Sequence, residues 1–343
     1  MQRLFLICSL ALCALTTEAA SYKLNLFIWS EYIDPTIIDD FEKRFDCKVT
    51  MDLYEDEAAM MAKLRDDGAA QYDVIVPPDH TVPALIKLKL IAPLRADNIP
   101  NMRHIDERFA SPWYDAGNRF TVPCQWGTLG IYARKPADKP YNESWALLFD
   151  ATEQPGPFVL TDSMRETIGA ALRYKGHSLN TIDHVELNEA LNVLIDARKR
   201  SLGFESGAGG KNKVLAKEAM AAMAYSGDAM RAMKEDGETY YFIPREGSQI
   251  RVDNLAICAK APHRIVAEKF LNFILKPEVS AQLADYNQYA TPNKAALEFV
   301  KPENLNNPMI YPPSHVMRRM EFLHDLGKQT KLYDEVWNQV KAR

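Results

Sequence analysis

The stretch Leu24-Asn25-Leu26-Phe27-Ile28-Trp29-Ser30-Glu31-Tyr32 decides how the rest of the chain is read. An apolar run ends in an aromatic, a hydroxyl, a carboxylate and a second aromatic. Asp34-Pro35 and the helical pattern Thr36-Ile37-Ile38-Asp39-Asp40-Phe41 follow. A strand that stops there, just before a helix, puts these side chains at the carboxyl edge of a sheet, where open α/β sheets bind ligands. Aromatic faces attract cations and Glu31 adds a negative charge, so the edge suits a cationic ligand.

Further strands with polar ends lie downstream. Lys48-Val49-Thr50-Met51-Asp52-Leu53 alternates in strand fashion, and Ala58–Asp67 reads as a helix with Met60, Met61 and Leu64 inward. Tyr72-Asp73-Val74-Ile75-Val76-Pro77 reads as a continuous apolar strand stopped by Pro77-Pro78, with Asp79-His80-Thr81 just beyond. This β-α-β-α-β order predicts a parallel, doubly wound sheet. Phe120–Cys124 and Gly127–Tyr132 read as two more strands, and the charged, proline-rich segment from Lys135-Pro136 to Pro140 as a passage into a second lobe.

That second lobe opens with Trp145–Phe149 and the strand before Thr161-Asp162-Ser163. Thr161 or Asp162 is expected to cap a helix that carries Glu166 and runs to Tyr174. An amphipathic helix is predicted over 185–200, a flexible loop at 206–210, and a strand at 220–225 ending in Tyr225 before Ser226-Gly227-Asp228. Val252–Ile257 returns the chain to the first lobe, followed by helices at 263–275, 278–286 and 328–342.

At 343 residues the chain exceeds one ordinary core, so two lobes are expected. Its 47% hydrophobic and 25% charged content is that of a soluble globular protein. A net charge of -5 with no Lys/Arg cluster argues against a nucleic-acid partner. Arg3, the apolar run Leu4–Leu15 and Thr17-Glu18-Ala19-Ala20 form a secretory signal peptide over 1–20, with cleavage expected after Ala19 or Ala20. Cys47, Cys124 and Cys258 then remain. That set is too sparse for a disulfide framework, although a single bridge stays open.

No phosphate loop, dinucleotide fingerprint, zincin motif or nucleophile elbow occurs. The seven histidines show no metal-ligand spacing. No catalytic residue, cofactor or metal site is predicted, and an exported amine-acting enzyme is the rival reading.

Six segments in order carry a resemblance across Lys23 to about Lys341: Trp29-Ser30-Glu31-Tyr32, Tyr72–Pro77, Gln125-Trp126-Gly127, Leu160-Thr161-Asp162 with Arg165-Glu166, Asp253–Ile257 and Tyr289-Ala290-Thr291-Pro292-Asn293. In these the chain resembles the spermidine/putrescine-binding family of polyamine ABC importers. The resemblance implies a two-lobed α/β fold of the type II periplasmic-binding-protein class, each lobe a mostly parallel sheet flanked by helices, joined by crossing strands. The expected lobes are 21–131 with 253–292, and 132–252 with 293–343. It further implies a periplasmic monomer that captures a polyamine between the lobes and hands it to an inner-membrane ABC permease.

Carried over by position, Trp29, Tyr32 and Tyr289 would line the ligand's stem. Ser30 and Glu31 would meet one amine terminus, Glu166 another and Asp253 a central amine, with Tyr225 standing where the family usually has Trp. Ser163, Pro78, His80, Arg251 and Leu323 depart from the family's pattern. His80 is kept among the ligand-binding candidates, although a surface loop is its more ordinary setting. Arg251 either points to solvent or, two residues before Asp253 on one strand, shares its face. In the second case another amine, or an amine that also carries a carboxylate, becomes an alternative cargo.

Overall fold

A computed structural model describes residues 22–342 apart from 67, 138 and 207. The signal-peptide reading of 1–20 lies outside the described residues. Among the described residues ten strands form one curled sheet: β1 (Tyr22–Trp29), β2 (Cys47–Tyr54), β3 (Val74–Ile75), β4 (Thr121–Arg134), β5 (Phe158–Thr161), β6 (Phe204–Glu205), β7 (Ala221–Tyr225), β8 (Thr239–Phe242), β9 (Gln249–Ile257) and β10 (Glu321–Phe322). The order is β2-β1-β3-β9-β4-β7-β5-β6, with β10 beside β9 and β8 beside β4.

The segment 24–41 folds as expected, a strand followed by a capped helix. Leu24, Leu26, Phe27 and Ile28 are buried because helices cover both faces of β1. Asp34 caps the helix Pro35–Phe45 by accepting from the Thr36 amide at 2.9 Å, and Pro35 pre-sets the backbone angle of its first turn. Ile37, Ile38 and Phe41 turn inward, and Phe41 packs edge-on against Phe270 at 5.1 Å. A second apolar cluster behind β5 and β7 is built on Trp145, Phe158, Ile168, Leu194, Tyr333 and Val340.

β1, β2 and β3 pair parallel, as do β5, β6 and β7. The two parallel sets are joined through antiparallel strands, so the sheet as a whole is mixed. The 14-residue β4 is the joint. Its first part, Thr121–Thr128, pairs antiparallel with β9, while Leu129–Ala133 pairs with β7 and Ile131–Arg134 with β8. One strand thus belongs to both halves of a two-lobed α/β fold.

Four local expectations are corrected. The two strands predicted at 120–124 and 127–132 are one strand, broken in register by a bulge between Pro123 and Gln125, where proline has no amide to give the ladder. The predicted strand 72–77 is in register only at Val74–Ile75. Buried Asp73 instead accepts from the amides of Asn25 and His263, while Val76 accepts from the Trp29 indole and the Tyr54 hydroxyl. The Glu166 helix spans Met164–Tyr174, so Ser163 rather than Thr161 or Asp162 stands at its cap position. The supposed loop at 206–210 runs into a helix, Gly209–Leu215, packed under β7 through Gly210 and Ala222.

Cys47, Cys124 and Cys258 are all free and buried. Among the described residues no helix is long and apolar enough to cross a membrane.

Phe41→Ala is expected to lower stability by about 3–5 kcal/mol in urea unfolding, because it empties a closed aromatic contact. Phe299→Ala, at a half-exposed ring, should stay within about 0.5 kcal/mol. Equal losses at both positions would contradict this placement of the core.

Candidate functional site

The carboxyl ends of the strands converge on one cavity of about 620 Å³. β1 delivers Trp29, Ser30, Glu31 and Tyr32. The helices after β2 and β5 bring Glu57 and Glu166 in their first turns, and the turn after β3 brings His80. β7 ends at Tyr225, and the helix Ser226–Glu235 contributes Asp228 and Arg231. β9 presents Arg251 and Asp253, and Tyr289 follows the helix Pro277–Asn287. All ten candidates named from the sequence line this cavity. Trp29, Ser30, Glu31, Tyr32, His80, Glu166, Tyr225, Arg251, Asp253 and Tyr289 therefore share one space despite their separation along the chain.

Arg251 lies at the centre of the electrostatics. It is 9% exposed, so the solvent-facing alternative does not hold. Its guanidinium sits 4.5 Å from the Trp29 ring centroid and 4.8 Å from that of Tyr225. Nε donates to Asp253 Oδ1 at 3.1 Å and Nη1 to the Tyr225 hydroxyl at 2.6 Å. Glu57 Oε1 and Glu166 Oε1 each lie 3.8 Å from Nη1. The Tyr225 hydroxyl in turn donates to Glu166 Oε1.

Burial pushes the Glu166 carboxyl up to about 7, against the pull of Arg251. His80 is no surface residue. It lies 2.8 Å from Glu57 Oε2 and 3.3 Å from Asp79 Oδ1. Burial works against a charged imidazole there, but Glu57 and Asp79 outweigh it and raise His80 to about 10. Glu57 is likewise opposed by burial, yet His80 and Arg251 hold it at about 2.

The other side of the cavity has its own charge set. Glu31, with φ 51°, carries its carboxylate to 3.3 Å from Arg231 and 3.7 Å from Lys211. Arg231 also pairs with Asp228 at 2.6 Å, and the Tyr289 hydroxyl donates to Asp228 at 3.2 Å. The Tyr289 ring lies between two glycines. A Cβ at Gly127 would come within 2.6 Å of it, and one at Gly227 within 2.3 Å.

Sequence reading missed Glu57, Asp228, Arg231 and the two glycines. The first two stand just past strand ends, like Glu31, so the rule that pointed to Glu31 would have reached them. Arg231 lies a helical turn further on, and nothing in its local sequence marks it.

Aromatic faces, carboxylates and crossing strands around one cleft define a two-lobed solute-binding fold. The comparisons agree. The family model of bacterial extracellular solute-binding proteins matches residues 36–309, and the chain belongs to that family. It is 31% identical to the spermidine/putrescine-binding periplasmic protein of Escherichia coli (strain K12), over 93% of this chain and 91% of that one. It is 30% identical to a putrescine/cadaverine-binding protein of Pseudomonas aeruginosa, over the full length of both. The solved spermidine/putrescine ABC transporter substrate-binding protein of Streptococcus pneumoniae superposes with a TM-score of 0.81 at 28% identity, covering 94% of this chain and 99% of that one.

Glu166 makes the stability of the ligand-free protein depend on pH. Its carboxyl holds a proton more readily folded than unfolded, so stability falls as pH rises from about 4.5 to 7. Glu166→Gln removes that loss. Between pH 4.5 and pH 8, the stability difference should move in the variant's favour by on the order of 3 kcal/mol. A difference independent of pH, measured by urea unfolding at both values, would remove Glu166 from the buried cluster.

Proposed function

We propose that this protein is an exported carrier that captures a polyamine, or a closely related amine, and delivers it to an ABC permease in the inner membrane. The observation that carries the reading is the set of carboxylates, Glu166 buried and Glu57 and Asp253 partly buried, facing aromatic rings in one cavity. An ammonium group must shed water to enter the cleft, which is costly unless carboxylates pair with it. Each cation–π contact returns roughly 0.5–2 kcal/mol, and each buried methylene about 0.8 kcal/mol. The ten lining residues named from the sequence are the proposed contacts.

In this reading residues 21–131 with 253–292 form one lobe and 132–252 with 293–343 the other. The change of partner within β4 at Thr128 and Leu129 supports a boundary near that point. Residues 1–20 act as a signal peptide cleaved after Ala19 or Ala20, and the mature chain works as a periplasmic monomer without a cofactor. A ligand touching both lobes favours the closed arrangement, which the permease then distinguishes from the open one. The relatives named for polyamines support this cargo.

An amine-acting enzyme would change its ligand, whereas a carrier returns it intact. Incubation of the purified protein with putrescine or spermidine, followed by product analysis, separates the two.

A thermal-shift panel of putrescine, spermidine, agmatine and common amino acids should show stabilisation by polyamines and not by amino acids. A ligand at about a hundredfold over its dissociation constant raises stability by about 2.7 kcal/mol. Asp253→Asn keeps the shape and removes a charge-assisted bond, so its best amine should bind about 1.5–3 kcal/mol more weakly. Unchanged affinity would exclude Asp253 as an anchor.

A further inference from the structure

The point of the cavity where rings and carboxylates gather around one position is already occupied by a side chain. Between the Trp29 and Tyr225 rings, with Asp253, Glu166 and Glu57 around it, an ammonium group would find every interaction it needs. The Arg251 guanidinium stands there instead, and arginine does not give up its charge. Building on the polyamine reading, we propose that Arg251 is a resident cation that fills one ammonium position, so that the cleft selects diamines over triamines.

The charge balance of the inner cluster supports this choice. Its acids are Glu57, Asp79, Glu166 and Asp253, and its cations are His80 and Arg251. These groups act on one another's ionisation as one set. With Glu166 ionised, four negative charges face two positive ones and two remain for a ligand. A neutral side chain at 251 would leave three, the number a triamine carries.

The other side of the cavity does not alter the balance, because Glu31 and Asp228 face Arg231 and Lys211. Near the mouth, Asp162 is paired with Lys341 at 2.7 Å, and Asp56 caps the helix Glu57–Arg65. Exposed Glu55 sits where water screens its charge. Arg165 is turned to the His324 carbonyl and to Asn180.

The same surroundings weigh against a ligand carboxylate. Any anion brought to the guanidinium would meet Asp253, Glu166 and Glu57 around it. Arg251 is thus more than neutralised and offers no site for a zwitterion.

Titration calorimetry at pH 8 and fixed ionic strength, with putrescine, spermidine and 4-aminobutyrate, tests the proposal. The parent should bind putrescine at least tenfold more tightly than spermidine, and 4-aminobutyrate more weakly than putrescine. Arg251→Gln should shift the putrescine-to-spermidine ratio at least tenfold toward spermidine. Arg251→Met, which fills the slot between the rings without charge, should do the same and serves if the Gln variant does not fold. Arg251→Lys should retain the parent's preference.

A parent that prefers spermidine, or a ratio that neutral variants leave unchanged, overturns the proposal while the carrier reading stands. Preference for 4-aminobutyrate overturns it as well. If folded parent protein binds no amine at all, the polyamine reading falls and takes this proposal with it.

Discussion

Three carboxylates gathered in one cleft, Glu166 buried and Glu57 and Asp253 partly so, cannot face one another without a cation among them, and in this protein Arg251 supplies it. Glu57, Glu166 and Asp253 come from different elements and would repel one another around the Arg251 position. The guanidinium neutralises part of that charge, and the Trp29 and Tyr225 faces hold it in place. Even so, burial leaves Glu166 protonated far more readily than an ordinary carboxylate. The site thus retains an excess of carboxylate charge, which in the proposed reading an incoming cation relieves.

Sheet topology brings those charges together. Because β4 pairs with β9 in its first part and with β7 and β8 in its second, both halves of the sheet hang on one continuous strand. The parallel strands of each half then point their carboxyl ends at the same cavity. Helices that follow β2, β5 and β7 start there, so Glu57, Glu166 and Asp228 all lie in first turns. An acidic side chain in that position is favoured by the helix dipole as well as by any cation it faces.

Support for the site comes from contacts that carry no ligand chemistry. The Trp29 indole is tied to the Val76 carbonyl at 3.0 Å, and Tyr54 donates to the same oxygen at 2.6 Å. Beneath the cavity Asn287 and Gln125 exchange side-chain hydrogen bonds, and Asn287 also donates to the Tyr32 carbonyl. Gly127 and Gly227 leave the space that the Tyr289 ring fills. The rings are thereby fixed before any ligand arrives, which lowers the entropy cost of binding.

Much of this was legible in the chain itself. The Leu24–Tyr32 run, Asp34-Pro35 and the apolar spacing after it determine a strand, a cap and a helix, because those signals act within a few residues. The strand-end rule pointed to Trp29, Ser30, Glu31 and Tyr32, and the family resemblance, carried over by position, supplied the other candidates that line the same cavity. Other features depended on contacts the local pattern does not hold. Regular pairing of β3 stops after Ile75, and the Val76 carbonyl serves the Trp29 indole and the Tyr54 hydroxyl, which arrive from other strands. Two apparent strands become β4 because β9 and β7 each pair with part of it. The sequence placed Arg251 on one face with Asp253. That this face is buried, and that Glu57 and Glu166 close around the guanidinium, was decided by packing between residues far apart in the chain, since a long-range ion pair leaves no trace in local periodicity.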